Sequence, residues 1–159
     1  MAMNIWDEER MRDTIIVARS AREHGNHPFG ALLADRDGKV LLTGENSVVT
    51  DRDCTAHAEI NLIRKACKAY ESSFLLTCTL YASTEPCPMC SGAIFWANIR
   101  RIVFGLGEEK LYALTTTGDY IEEALYLPSR ELLAKGKKKI EVIGPLLEDE
   151  ALDVHKDFW

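Results

Sequence analysis

An α/β/α sandwich around a single sheet is the fold this sequence predicts, on three observations. Short β-rich runs alternate with stretches of helical spacing along the chain. The first two of these runs are joined by a tight turn, whereas the later ones are separated by segments long enough for helices. No repeat, low-complexity tract or Pro/Gly/Ser-rich linker divides the chain. Such alternation buries a sheet between helical layers, because each helix must hide an apolar stripe against it. A length of 159 residues suits one domain with a substantial core.

The elements follow in order. From Asp7 to His24, the residues Met11, Ile15, Ala18, Arg19 and Arg22 recur at three- and four-residue steps and predict a helix that Gly25 stops. Phe29–Ala34 and Val40–Gly44 read as strands of a hairpin turning at Asp35-Arg36-Asp37-Gly38. Thr55 to Tyr70 predicts a helix with Ile60, Ile63, Ala66 and Cys67 on its inner face. Cys78–Ala82 is a short apolar strand, and Pro88–Ile99 a buried helix with Pro88 in its first turn, where a missing N–H breaks no bond.

Arg101–Gly105 is the next strand. Gly107–Thr117 reads as irregular, and the segment through Pro128–Leu133 as mixed. Ile140–Ile143 is the last strand. A final helix over Leu147–Asp157 places Leu147, Ala151, Val154, His155 and Phe158 on one stripe. The first two strands are expected to be antiparallel and those reached by helix crossovers parallel, which makes the sheet mixed.

A net charge of −6 argues against a broad nucleic-acid footprint, since proteins that grip phosphates present a basic face. The one dense basic run, Lys135–Lys139 interrupted by Gly136, reads as a solvated loop. No apolar stretch approaches the roughly 18 residues of a membrane span. The start, Met1 to Glu9, carries acids rather than the bases of a signal peptide, so the cytoplasm is the expected compartment. Of the five cysteines, Cys54, Cys67 and Cys78 read as reduced thiols, with Cys67 and Cys78 packed as small hydrophobes.

The remaining two cysteines belong to the most informative string in the chain, His57-Ala58-Glu59 followed by Pro86-Cys87-Pro88-Met89-Cys90. A catalytic zinc takes three protein ligands and keeps one position for water, whereas a structural zinc takes four ligands. Cys87 and Cys90 reach one metal from the first turn of a helix, where the positive helix end favours thiolates. His57 supplies a third ligand. Glu59, two residues on, can stand beside a bound water without occupying the metal, as general acid and base. The rival reading adds Cys54, three residues before His57, to make a closed four-ligand structural site. The flanking Thr84-Glu85-Pro86 and the Ala58-Glu59 pair favour the open site.

Thr55-Ala56-His57-Ala58-Glu59 with Thr84-Glu85-Pro86-Cys87-Pro88-Met89-Cys90-Ser91-Gly92-Ala93 resembles the cytidine deaminase superfamily, over about Met11 to Gly105. A histidine where cytidine deaminases proper carry cysteine is similar to the branch of guanine, fungal cytosine and tRNA adenosine deaminases. The resemblance implies a five-stranded sheet between helices, one Zn2+ per chain held by His57, Cys87 and Cys90, Glu59 as the proton shuttle, and a homodimer.

On the substrate side the resemblance nominates Asn46, whose amide can donate and accept against a base edge, and Ala58 within the motif. Phe29 in His27-Pro28-Phe29-Gly30 is similar to the guanine deaminase pattern and is a candidate to stack on the ring; its alternative is core packing. His27 reads as a loop or packing residue. Trp96 is either a pocket wall or a helix–helix contact. The C-terminal segment 147–159, ending in Phe158-Trp159, either closes over the site or pins its helix to the core. The activity implied is hydrolytic deamination of a small free nucleobase, guanine first and cytosine or another amino-heterocycle second. A tRNA adenosine deaminase would need a cationic rim, and a non-enzymatic zinc module would need the closed site.

Overall fold

In the computed structural model, residues 2–115 and 124–159 are described. Five strands form one sheet: β1 (Gly30–Ala34), β2 (Val40–Glu45), β3 (Thr79–Thr84), β4 (Arg101–Leu106) and β5 (Glu141–Ile143), in the order β2-β1-β3-β4-β5. β1 is antiparallel to both β2 and β3, while β3–β4 and β4–β5 are parallel. Four strands therefore run one way and β1 the other, as hairpin and crossover connections require. The described helices are α1 (Asp7–Glu23), α2 (Val48–Asp51), α3 (Ala58–Ala69), α4 (Ser72–Leu75), α5 (Pro88–Trp96), α6 (Glu108–Thr115), α7 (Ser129–Leu133) and α8 (Glu148–Asp153).

Alternation along the strands gives the sheet two apolar faces. Leu33, Leu80, Ala82, Ile102 and Phe104 pack with Leu62 and Ala66 of α3, Ile94 of α5 and Leu133 of α7. Leu32, Tyr81, Val103 and Leu106 pack on the other side with Met11, Ile15 and Ala18 of α1 and Ala151 of α8. Two cores on opposite faces of one sheet make the three layers. The hairpin turn is as expected: Asp35 Oδ1 accepts the Asp37 and Lys39 N–H groups, and Gly38 takes φ +80°. No helix among the described residues is long and apolar enough to cross a membrane.

Several expectations need correction. The buried face of α1 is Met11, Thr14, Ile15, Ala18 and Ala21, with Arg19 exposed, because Thr14 satisfies its hydroxyl on the Arg10 carbonyl and so tolerates burial. α3 begins at Ala58, three residues later than Thr55, and turns Leu62 inward in place of Ile60 and Cys67. Cys67 is exposed, while Cys78 is buried as anticipated. Glu108–Thr115, read as irregular, is helical, with Leu111 buried. The last helix ends at Asp153, and the chain continues in turns to Trp159. The basic run is solvated at Lys135, Lys137 and Lys139, but Lys138 lies over the Phe95 ring at 4.6 Å. The part of the irregular segment at 116–117 lies outside the described residues.

Candidate metal centre and active site

The sheet topology gathers the site at one edge. Because β2, β3 and β4 run together, their C-terminal ends deliver Asn46, the Thr84–Cys87 turn and Glu108 to the same side, and antiparallel β1 brings Phe29 there from its N-terminal end. Open α/β sheets place ligands at this carboxyl edge. The motif residues then occupy two helix starts. His57 is the N-cap of α3, with Glu59 in that helix's first turn; Cys87 is the N-cap of α5, with Pro88 at its start and Cys90 in its first turn. Both N-cap residues have extended backbone and make no side-chain cap. Their side chains are thereby free to face each other at two positive helix ends. Gly44 lets the start of α3 lie directly on β2, since a Cβ there would sit 2.5 Å from the Ala58 carbonyl oxygen.

His57, Cys87 and Cys90 bring their ligand atoms within 4.8 Å of one another, a set that can hold a metal ion. His57 Nδ1 lies 3.6 Å from Cys87 Sγ and 3.5 Å from Cys90 Sγ. Ligand bonds of about 2.3 Å to sulfur and 2.0–2.1 Å to nitrogen, at a tetrahedral angle, separate N and S by about 3.6 Å, so the spacing is that of zinc ligands. The electrostatics agree. A hydrogen bond from the Cys90 thiol, with the His57 ring beside it, holds Cys87 down to about 4, while Cys90 is pushed far up by the same contact and by burial. Two sulfurs this close carry two negative charges only with a cation between them. Cys54 is exposed and stands outside the cluster, so the closed four-ligand arrangement does not form.

Glu59 is buried, its Oε2 3.5 Å from Cys90 Sγ. Burial first, and then the Cys87 charge, push its carboxyl up to about 7, where a proton can be taken and returned near neutrality. Beside these groups lies a cavity of ≈ 250 Å³. Asn46, His57, Glu59 and Cys87 line it, as do Phe29 and Trp159. Asn46 is held by its backbone N–H on the Phe29 carbonyl, its Oδ1 accepts the Val48 N–H, and Asn61 Nδ2 secures the adjoining Glu45 carbonyl and Ser47 hydroxyl. Trp159 donates its indole N–H to His155 Nδ1 at 3.0 Å and stacks on that ring; His27 and Phe29 pack beside it. Ala58, fully buried, is not among the lining residues.

Trp96 is not brought to the cavity: it is 80% exposed on α5, edge-on to Phe95. His27 does line the cavity, outside the metal cluster. The sequence reading missed Thr84, Glu85 and the group Glu108, Leu111, Tyr112 and Thr115, which form another part of the lining. Glu85 was visible only as motif flank. Its Oε1 accepts the Ser129 N–H and hydroxyl, and its Oε2 accepts the Glu108 N–H, which ties β3 to α6 and α7.

Fold and site together define a zinc-binding hydrolytic deaminase of the mixed-sheet type. Residues 4–106 match the family model described as the cytidine and deoxycytidylate deaminase zinc-binding region, and the chain belongs to this family. It is similar to a probable cytosine deaminase of Schizosaccharomyces pombe, at 45% identity over 94% of this chain and 90% of that one. A tRNA-specific adenosine deaminase of Bacillus subtilis is 33% identical over 91% of this chain and 83% of its own length. Among solved structures, the guanine deaminase of Nitrosomonas europaea superposes with a TM-score of 0.75 at 26% identity, covering 93% of this chain and 81% of that chain.

Proposed function

We propose that the protein hydrolyses the amino group of a free nucleobase to a carbonyl and releases ammonia, with guanine as the first substrate. The observation that carries this reading is the cavity that Asn46, His57, Glu59 and Cys87 share with the aromatic rings of Phe29 and Trp159. At ≈ 250 Å³ it lies near the small end of ligand pockets, roughly 300–1,000 Å³. Among the described residues no lysine or arginine lines it, which disfavours a bound tRNA loop. A second reading, cytosine, is favoured by the likeness to the S. pombe protein over nearly the whole chain.

His57, Cys87 and Cys90 would hold the zinc, and a zinc so held lowers the pKa of its water from 15.7 to about 7. Glu59 accepts the attacking water's first proton and delivers it to a ring nitrogen. It then takes the second from the newly added hydroxyl and passes it to the amine, which leaves as ammonia while the carbonyl forms. Asn46 orients the base edge, and Phe29 and Trp159 contact its ring and exclude water. Exposed Cys54 and Cys67 suit a reducing cytoplasm. A homodimer is part of the reading, and Trp96 offers apolar surface that a second copy would cover.

The test is ammonia release by zinc-loaded protein from guanine, cytosine, adenine, their nucleosides and a tRNA. Release from guanine, or from cytosine under the second reading, supports the proposal; release only from the tRNA overturns it.

A further inference from the structure

Glu108 is a carboxyl in an unusual position for a group the motif does not name. It opens α6 directly after β4 and Gly107, is 2% exposed, and lines the cavity that holds Asn46, His57 and Glu59. Its Oε1 accepts the Tyr112 hydroxyl at 2.7 Å. Its Oε2 is equally buried and has no hydrogen-bond partner among the described residues. Buried polar atoms are nearly always paired, and an unpaired carboxyl oxygen that faces a cavity has room there for a partner from a ligand.

The residue is not there by loose packing. Its N–H donates to Glu85 Oε2, and the other oxygen of Glu85 takes two donors from Ser129. The residue is thus braced between the turn that leads from β3 to Cys87 and the start of α7, which fixes its backbone before any ligand arrives. Within the same cavity Asn46 has its Oδ1 engaged by the Val48 N–H, so the polar group it has left for a base is its amide donor. Asn46 supplies donors and Glu108 an acceptor. Tyr112, bound to Oε1, leaves Oε2 as the atom for the ligand.

We infer that Glu108 is a specificity-determining residue whose free carboxylate oxygen accepts a ring N–H of the bound base. The inference rests on the proposed nucleobase reading and narrows it to lactam bases that carry a ring N–H together with a carbonyl. Guanine and cytosine both satisfy this condition, and N-methylated forms lose the donor. A site built to pair a substrate N–H rejects analogues that lack it, because its own buried group is then stranded.

The experiment measures binding and turnover separately on zinc-loaded wild type, Glu108→Leu and Glu108→Gln. The probes are cytosine against 1-methylcytosine, and guanine against 1-methylguanine and 9-methylguanine. Wild type should prefer at least one N–H base over its methylated form by about tenfold or more, the worth of a charge-assisted hydrogen bond. Glu108→Leu should collapse that ratio to within about threefold while keeping its zinc, with a lowered melting temperature because the Tyr112 hydroxyl loses its acceptor. Glu108→Gln, which keeps size and one acceptor, should fall between. A ratio unchanged in Glu108→Leu, or in Glu108→Gln if the leucine variant does not fold, overturns the inference. Wild type that binds the bases but releases no ammonia contradicts the deaminase reading instead, and the binding ratios still decide Glu108.

Discussion

The part of the site built from the first turns of α3 and α5 and the part built from α6 and the C-terminal tail are assembled by different rules. In the first, His57, Glu59, Cys87 and Cys90 occupy cap and first-turn positions, and their identities are fixed by what a metal and a proton shuttle require. In the second, Glu108, Leu111 and Tyr112 come from one short helix, and Trp159 arrives from the chain end through His155. Chemistry dictates the first set, whereas packing places the second. A shared reaction therefore needs the first set, and choice of substrate can be varied in the second.

The largest effect expected belongs to the metal side. Cys90→Ser should leave less than one zinc per chain and reduce ammonia release to background, as elemental analysis and a turnover assay would show. A variant with full zinc content would blur the distinction between the two regions. Next is the strut between them. Glu85→Ala strands the Glu108 N–H and the Ser129 N–H and hydroxyl, and should cost roughly 2–4 kcal/mol in denaturant unfolding. A loss under about 0.5 kcal/mol would mean the regions are held independently.

On the tail side, Trp159→Ala should raise KM about tenfold with zinc content unchanged and kcat little affected, because it removes ring contact but no reacting group. The tail also carries a pH dependence. Burial first, and then the Arg22 charge, depress His155 to about 4, below the ordinary histidine value of about 6.5. Between these values the unfolded chain binds the extra proton, so the stability contributed by neutral His155 is complete above about pH 6.5 and lost as pH falls toward 4. His155→Gln should flatten the melting temperature over that window; a slope equal to wild type would remove His155 as its source. The smallest effect is expected at Cys54→Ser, which should keep zinc and activity because its sulfur stands outside the cluster.

Legibility in the sequence divides along the same line. His57, Glu59, Cys87 and Cys90 were readable because few residue types bind zinc or shuttle protons, and their spacing survives folding unchanged. The strands and their directions were readable from β-rich runs and connection lengths. Ile60 and Cys67 stand three and four residues from Ile63, so spacing alone reads them as inward, whereas α3 fills its inner face with Leu62, Ile63 and Ala66. Trp96 was ambiguous for a related reason: Ala93-Ile94-Phe95-Trp96-Ala97 is apolar on every side, so spacing cannot say which residue faces the sheet, and Ile94 does. Glu108 carried no signal at all. An acid at a helix start is ordinary, and only the position of α6 over the cavity gives it meaning.

The account turns on Glu59 acting on a proton beside a three-ligand metal without itself being a ligand. Zinc content and ammonia release measured together on Glu59→Ala test it most directly. The prediction is one zinc per chain with turnover lowered by at least about 10²-fold, the worth of general acid–base catalysis. Loss of the zinc, or turnover at the wild-type rate, would contradict it.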